Sequence, residues 1–400
     1  MTETTYERPD AAGQEPDVLV DVRGVKVHFP IKRGVIFDKV IGYVYAVDGV
    51  DLQIRRGETY GLVGESGCGK STLGKAILNL EPPTEGSVTI DGVDVAALKG
   101  EELRQVRKDF QMVFQDPMGS LDPRQSVESL LVEGMRSHGL ASDEKKTAAR
   151  LRQLLADVGL PAAALKKYPH EFSGGQRQRI GIARALSVEP KLIVADEPVS
   201  ALDVSVQAQV INLLEQLQDE YGLTYLVVAH DLAVVRHISD RIGVMYLGGL
   251  VEEASADDLY DAPLHPYTKA LLSAVPVPDP TVEDTREQIL LVGDLPSPSN
   301  PPAGCRFHTR CPWKQPTRCD EDRPQLRVVD VPGVAETHRV ACHWTEQIAS
   351  GQIQPHDVAP TATAQQDFSE DDEFYGPVSR KELEDDPYGT GSETWPTGAG

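Results

Sequence analysis

The sequence predicts an α/β fold built on a mainly parallel sheet. Three observations carry that expectation. Residues 64–71 read Gly-Glu-Ser-Gly-Cys-Gly-Lys-Ser, the phosphate-loop spacing G-x-x-x-x-G-K-[ST]. Two short apolar runs end in polar tips: 192–195 leads into Asp196 and Glu197, and 225–229 into His230. Central parallel strands look like this, with their chemistry at the C-terminal edge. Segments of helical periodicity separate these runs, which is the alternation a parallel sheet needs for its crossovers.

In chain order, residues 1–17 are polar, contain Pro9 and Pro16, and read as a disordered arm. Residues 19–29 alternate and suggest an antiparallel edge sheet. After a loop with Pro30, Gly34 and Gly42 comes Tyr43-Val44-Tyr45, where Tyr45 is a candidate to stack on a base or simply to pack on the edge sheet. Residues 59–63 form a buried strand, and Leu73, Ile77 and Leu80 follow at helical spacing, so the glycine loop sits on a strand-to-helix turn. Gly64, Gly67 and Gly69 let backbone amides close round an anion, and the helix starting near Ser71 aims its positive end at the same place. The competing plain reading is a glycine-rich turn with a surface lysine. On the phosphate reading, Lys70 reaches the β- and γ-phosphates and Ser71 holds Mg²⁺. Glu65, Ser66, Cys68 and Thr72 complete the candidate nucleotide set.

Residues 86–92 suggest another strand, closing on the turn Asp91-Gly92. Residues 110–114 alternate and end at Gln115, and beyond them the chain turns helical. Ser142 is a candidate cap for a helix with the stripe Ala148, Leu151, Leu154, Leu155 and Val158, stopped by Gly159. Phe172-Ser173-Gly174-Gly175-Gln176 opens a helix bearing Ile180, Ala183 and Leu186. Asp203 or Ser205 caps a helix with Val206, Val210, Leu213, Leu214 and Leu217 on one face, ended by Gly222. After about Val251, closely spaced prolines break the periodicity, as in an accessory region wrapped on the core or a small subdomain.

The formal net charge of -23 argues against nucleic acid as the main partner. Ten acidic residues and two basic ones fall in 367–400, so the tail reads as disordered. No apolar run is long enough for a transmembrane helix, and the N-terminus lacks a basic segment followed by an apolar one. The expectation is a cytosolic chain that meets a membrane only through a partner.

The residues then converge on one family. Asp196, at the tip of an apolar strand, suits a water-mediated Mg²⁺ contact, and Glu197 suits a base for the attacking water. The plain alternative is a strand end capped by two acids. Residues 173–176, Ser-Gly-Gly-Gln, resemble the signature motif of ATP-binding-cassette ATPases. Gln115 resembles that family's glutamine loop, residues 200–203 its D-loop, and His230 its switch histidine. Phe172 stands where leucine is commoner. The resemblance implies an ABC ATPase core over 18–255, with an antiparallel edge sheet and a helical subdomain at about 116–185. It implies two such domains closing head to tail, each ATP lying between the phosphate loop of one and the signature residues 173–176 of the other, with Asp203 nearby. It also implies roles: Glu197 polarises water, His230 contacts the γ-phosphate, and Gln115 links metal and water to the transporter.

Residues 171–179, the run His265-Pro266-Tyr267-Thr268-Lys269, and Cys305-Arg306-Phe307 with Cys311-Pro312 are similar to the oligopeptide/dipeptide importer ATPases. That resemblance implies a C-terminal accessory region over 256–348 followed by an acidic tail, 349–400. It implies a subunit on the cytoplasmic face of the membrane. Its partners would be a second ATPase, two permeases and, indirectly, an extracytoplasmic binding protein. The other function class is a soluble cassette protein acting on nucleic acid or ribosomes; those usually carry coiled-coil insertions or two cassettes. Cys305, Cys311, Cys319 and Cys342 are separated by 5, 7 and 22 residues. Clustered thiols in a cytosolic chain favour metal over disulfides, although the short C-x-x-C of common zinc sites is absent. The resemblance points to a [4Fe–4S] cluster, with zinc or free thiols as alternatives.

Overall fold

The computed structural model describes residues 17–33, 39–275 and 288–358. The N-terminal arm up to residue 16, the prolines at 276, 278 and 280, and the tail from 359 lie outside the described residues.

Two sheets organise the chain. The first is antiparallel, in the order β2-β1-β4-β5. Strands β1 (Val18–Arg33) and β2 (Lys39–Arg55) form a long hairpin, and β4 (Glu85–Ile90) and β5 (Val93–Asp94) complete the sheet. Alternation explains it: Val20, Val22, Val25 and Val27 are buried, while their polar neighbours face out. The second sheet runs β11-β12-β10-β9-β3-β8-β7-β6. Five adjacent strands, β9 (Arg241–Tyr246), β3 (Thr59–Val63), β8 (Thr224–Val228), β7 (Leu192–Asp196) and the edge strand β6 (Phe110–Val113), run parallel. Every residue of β3, β7 and β8 is buried, because helices cover both faces.

Helix α1 (Lys70–Ile77) follows the glycine loop, and α2 (Gly100–Val106) precedes β6. Helices α3 (Pro117–Ser120), α4 (Val127–Ser137), α5 (Glu144–Asp157) and α6 (Gly174–Leu186) form the helical subdomain. Their apolar stripes join one core with Ile193, Ala195, Tyr225 and Val227 of the sheet. The cap of α5 is Asp143, one residue beyond the expected Ser142: its carboxylate accepts from the Lys146 amide at 3.1 Å. A carboxylate at the positive helix end is favoured by charge as well as by hydrogen bonding. Helix α7 (Val204–Tyr221) starts after Asp203, whose side chain makes no cap bond, and stops at Gly222 with φ 63°. Helix α8 (Leu232–Ile238) leads into β9.

The accessory region does more than wrap the core. Strand β10 (Gly249–Ser255) pairs antiparallel with β9, and β12 (Arg339–Val340) pairs with β10 and with β11 (Arg327–Val328). The core sheet is therefore extended by strands from the C-terminal region, which also covers its edge. Helices α9 (Ala256–Asp261) and α10 (Pro266–Ser273) pack with Phe307 onto Val63, Val244 and Tyr246. Beneath them Glu252 is fully buried; it accepts from the amides of Leu264 and His265 and pairs with His338 at 2.7 Å. Burial pushes the His265 imidazole down to about 4. Residues 349–358, placed in the tail by the sequence, are described, and the His356 amide donates to the Pro312 carbonyl at 2.8 Å. Among the described residues no helix is long and apolar enough to cross a membrane.

Candidate functional site

The phosphate loop joins β3 to α1. Glycine is required at two of its positions by close approach. A Cβ on Gly64 would lie 2.1 Å from the Met245 carbonyl oxygen, and one on Gly69 would lie 2.0 Å from that of Ala46. The Lys70 ammonium is buried; it donates to the carbonyls of Gly64 at 2.8 Å and Glu65 at 3.0 Å, which hold it inside the loop. Ser71 donates to Asp196 at 2.7 Å, joining the first turn of α1 to the tip of β7. Burial raises the Asp196 carboxyl above its ordinary range, and the Ser71 bond opposes that. Serine hydroxyl and carboxylate are the oxygen pair a hard divalent cation takes, so Ser71 and Asp196 fit Mg²⁺. Among the described residues no three His, Cys, Asp or Glu side chains converge as a ready-made ion shell. A Mg²⁺ ion that keeps waters and borrows phosphate oxygens does not need one. Gln115, which the resemblance also places with the metal, donates to Glu197 in this structure.

One residue on, Glu197 has φ 44°, in the left-handed region. Its amide donates to the Val228 carbonyl at 2.8 Å, which fixes the turn. Its carboxylate accepts from Gln115 Nε2 at 2.8 Å and lies 3.3 Å from His230 Nδ1. The three residues expected to act on the γ-phosphate and water thus meet at one carboxylate, brought there by the tips of β6, β7 and β8. A cavity of about 40 Å³ beside Glu197, His230 and Asp231 is large enough for a water molecule.

The helix at 173–176 is built differently. Ser173 caps α6 and closes a capping box: its hydroxyl accepts from the Gln176 amide, and Gln176 Oε1 accepts from the Ser173 amide at 3.1 Å. Phe172 is buried beneath it, so the departure from leucine keeps an apolar anchor. A Cβ on Gly175 would lie 2.4 Å from Val206 Cγ1, so the glycine allows α6 to touch α7. Among the described residues no hydrogen bond or ion pair links 173–176 to 64–72. Asp203 is exposed, as are Ser66, Ser173, Gly174 and Gln176. Ser66 is at the tip of the loop and Thr72 in the first turn of α1. Cys68 is buried against the loop, and burial raises its thiol.

Tyr45 is half-buried. Its ring meets His28 edge-on, 4.7 Å between centroids, and its amide donates to the Pro298 carbonyl at 2.9 Å. Beside it Asp48 accepts from Arg323 at 2.8 Å, bonds Arg306, and lies 2.9 Å from His28 Nε2. The Arg323 and Arg306 guanidiniums hold the Asp48 carboxyl below its ordinary range against the opposing effect of burial. On the loop itself the Glu65 amide donates to the Tyr267 hydroxyl at 2.8 Å, and Arg310 clamps the Glu65 carboxylate with a fork at 2.8 and 3.2 Å. Sequence reading missed these contacts. The motifs at 265–269 and 305–307 were visible, but nothing in them points to residues some two hundred positions earlier.

Comparison with known proteins fits this geometry. The family model for the ABC transporter matches residues 47–200, and that for the oligopeptide/dipeptide transporter C-terminal region matches residues 251–319. The oligopeptide transport ATP-binding protein AppF of Bacillus subtilis is 54% identical over 334 residues, 83% of this chain and 98% of that protein. The chain belongs to the ABC transporter family of ATP-binding proteins. Another member, the oligopeptide transport ATP-binding protein OppF of Salmonella typhimurium, is 52% identical over 318 residues, 79% of this chain and 95% of that one. The ABC transporter cassette MJ0796, solved as a dimer bound to ADP and Pi, superposes with a TM-score of 0.53 at 31% identity, covering 59% of this chain and 98% of that one. As an ABC ATPase the chain hydrolyses ATP, and the expected α/β core, edge sheet and helical subdomain are those of the family.

The cysteines of this ABC protein are all free thiols. The Cys305 amide donates to the Cys319 carbonyl at 2.9 Å. Burial pushes the Cys305 thiol up to about 12 and raises those of Cys311 and Cys342 as well. The charges of Cys319 and Cys342 add to the rise at Cys305 and Cys311, so the four thiols lie within electrostatic reach of one another. Burial and mutual repulsion both disfavour bare thiolates, and a cationic group among them would reverse both effects. Four thiols are the number and type of donor that a soft metal group takes. They are not drawn together as the shell of a single ion among the described residues. Among the described residues neither the expected cluster nor the alternative zinc therefore has a preformed site.

Proposed function

We propose that the chain is the ATPase subunit that powers import of di- and oligopeptides through a membrane transporter. The observation that carries this is the match of residues 251–319 to the oligopeptide/dipeptide transporter C-terminal region, set on an ATPase core whose own site is split. Ser71, Asp196, Glu197, Gln115 and His230 gather at one sheet edge, while among the described residues no hydrogen bond joins the helix end at Ser173 to the phosphate loop. A complete site needs a second subunit to supply that helix end across the nucleotide. In this reading the loop amides and Lys70 hold the phosphates, Tyr45 stacks on the base, and the residues 173–176 and Asp203 serve the neighbour's nucleotide. Ser71 and Asp196 would hold Mg²⁺, which would supply positive charge to offset that of the phosphates. Glu197 accepts the proton of the attacking water as its oxygen bonds to the γ-phosphorus and the bridging P–O bond breaks. His230 and Gln115 hold that carboxylate and the γ-phosphate side of the site.

Two permeases and an extracytoplasmic binding protein complete the assembly, with this chain on the cytoplasmic face. A cavity of about 380 Å³ between β6 and helices α4 and α6, bordered by the half-exposed Phe114 and Leu80, supports a permease contact next to Gln115. The alternative, action on nucleic acid, is opposed by the charge of -23. The test is reconstitution with the permeases and binding protein in vesicles. ATP hydrolysis should rise on adding a short peptide, with peptide accumulating inside; hydrolysis indifferent to peptide would contradict the reading. Cys305, Cys311, Cys319 and Cys342 would hold a [4Fe–4S] cluster, which supplies a rigid cationic cross-link. Anaerobically purified protein is then brown, and colourless protein with one zinc per chain would favour the alternative metal.

A further inference from the structure

The phosphate loop is gripped from outside by the C-terminal region. Glu65 is the second residue of that loop and carries a negative charge next to where phosphate binds. Three groups hold it. The Tyr267 hydroxyl accepts its amide hydrogen at 2.8 Å, Lys70 donates to its carbonyl at 3.0 Å, and the Arg310 fork takes both carboxylate oxygens. Tyr267 is fully buried in an aromatic nest with Tyr246 and Phe307, at centroid distances of 4.7 and 5.4 Å. Arg310 is 7% exposed and lies on the short segment between Cys305 and Cys311. A buried guanidinium of this kind is placed by its surroundings and does not wander.

We propose that Arg310 is a positioning residue for ATP binding: it draws the Glu65 carboxylate away from the phosphate site and cancels its charge, so that the C-terminal region sets the nucleotide affinity of the loop. A carboxylate released at that point would repel the β- and γ-phosphates and compete for Lys70. The Tyr267 bond has a related effect. It ties the Glu65 amide to the C-terminal region, while the Glu65 carbonyl accepts from the Cys68 amide at 3.3 Å, so the backbone of residue 65 is fixed on both sides.

The inference rests on the loop holding nucleotide phosphate, and the experiment separates the two. Binding of a non-hydrolysable ATP analogue with Mg²⁺ is titrated on the full chain and on Arg310→Met, Arg310→Lys, Glu65→Gln and the double variant Glu65→Gln/Arg310→Met, with Lys70→Ala as control. Arg310→Met should weaken binding about tenfold, the scale of a lost charge-assisted pair. Arg310→Lys should recover part of that loss. The double variant should bind nearly as wild type, because the stray charge is gone; a structural role alone predicts no such rescue. Thermal melts show that each variant is folded. If Arg310→Met binds as wild type, or if the double variant binds as weakly as Arg310→Met, the positioning role is overturned. If Lys70→Ala also binds unchanged, the loop assignment itself fails.

Discussion

At Glu197 the chain tolerates a left-handed backbone in a residue with a full side chain, a conformation that costs about 1–3 kcal/mol. The Val228 carbonyl, Gln115 and His230 hold it there. The turn aims the carboxylate off the strand axis, whereas its neighbour Asp196 stays buried against Ser71. The backbone thus gives the two adjacent acids different partners, Ser71 for Asp196 and Gln115 with His230 for Glu197. Replacing Glu197 by Gln keeps the shape and both contacts but removes the proton acceptor. Hydrolysis at saturating ATP should fall by about 10²-fold or more, with nucleotide affinity retained; turnover near the wild-type rate in a phosphate-release assay would remove Glu197 from this role. Much of this site was legible beforehand, because its motifs are short and local and each sits on one strand tip. The contact of Gln115 with Glu197 was not, since the sequence could not say which of two neighbouring carboxylates a glutamine 82 positions earlier would meet.

At the scale of elements, α6 and α7 show how tightly the site is assembled. Gly175 and Val206 are packed so closely that an added methyl has no room. Gly175→Ala should destabilise the chain by about 1–3 kcal/mol, the usual cost of overpacking, and Val206→Ala should restore most of it. Equal melting temperatures for Gly175→Ala and wild type would show that the helices separate freely. The helices and central strands were readable from periodicity, and strand β3 falls where the apolar run sets it. The cap of α5 was missed by one residue because Ser142 and Asp143 are both good caps in isolation, and position relative to the first turn decides between them. The pairing of β12 with β10 was not readable at all. Strands of two residues carry no period, and their partner is fixed by a fold some ninety residues away.

For the whole molecule, the C-terminal region and the nucleotide core act as one body. Strand pairing joins them at the sheet edge, and Pro298, Arg306 and Arg323 reach Tyr45 and Asp48 of β2 while Arg310 reaches Glu65 of the phosphate loop. Composition hinted at none of this, because long-range ion pairs leave no local pattern. Among the described residues no hydrogen bond joins the helix end at Ser173 to the chain's own phosphate loop, as expected of a subunit that works as a pair. The most direct measurement is the mass in solution, by light scattering, of the chain carrying Glu197→Gln mixed with the second ATPase subunit of its transporter carrying the equivalent change. With Mg²⁺ and ATP the mass should become that of a two-subunit complex, and exchange into ADP should return it to single chains. Single-chain mass under all of these conditions would contradict a nucleotide held between two subunits.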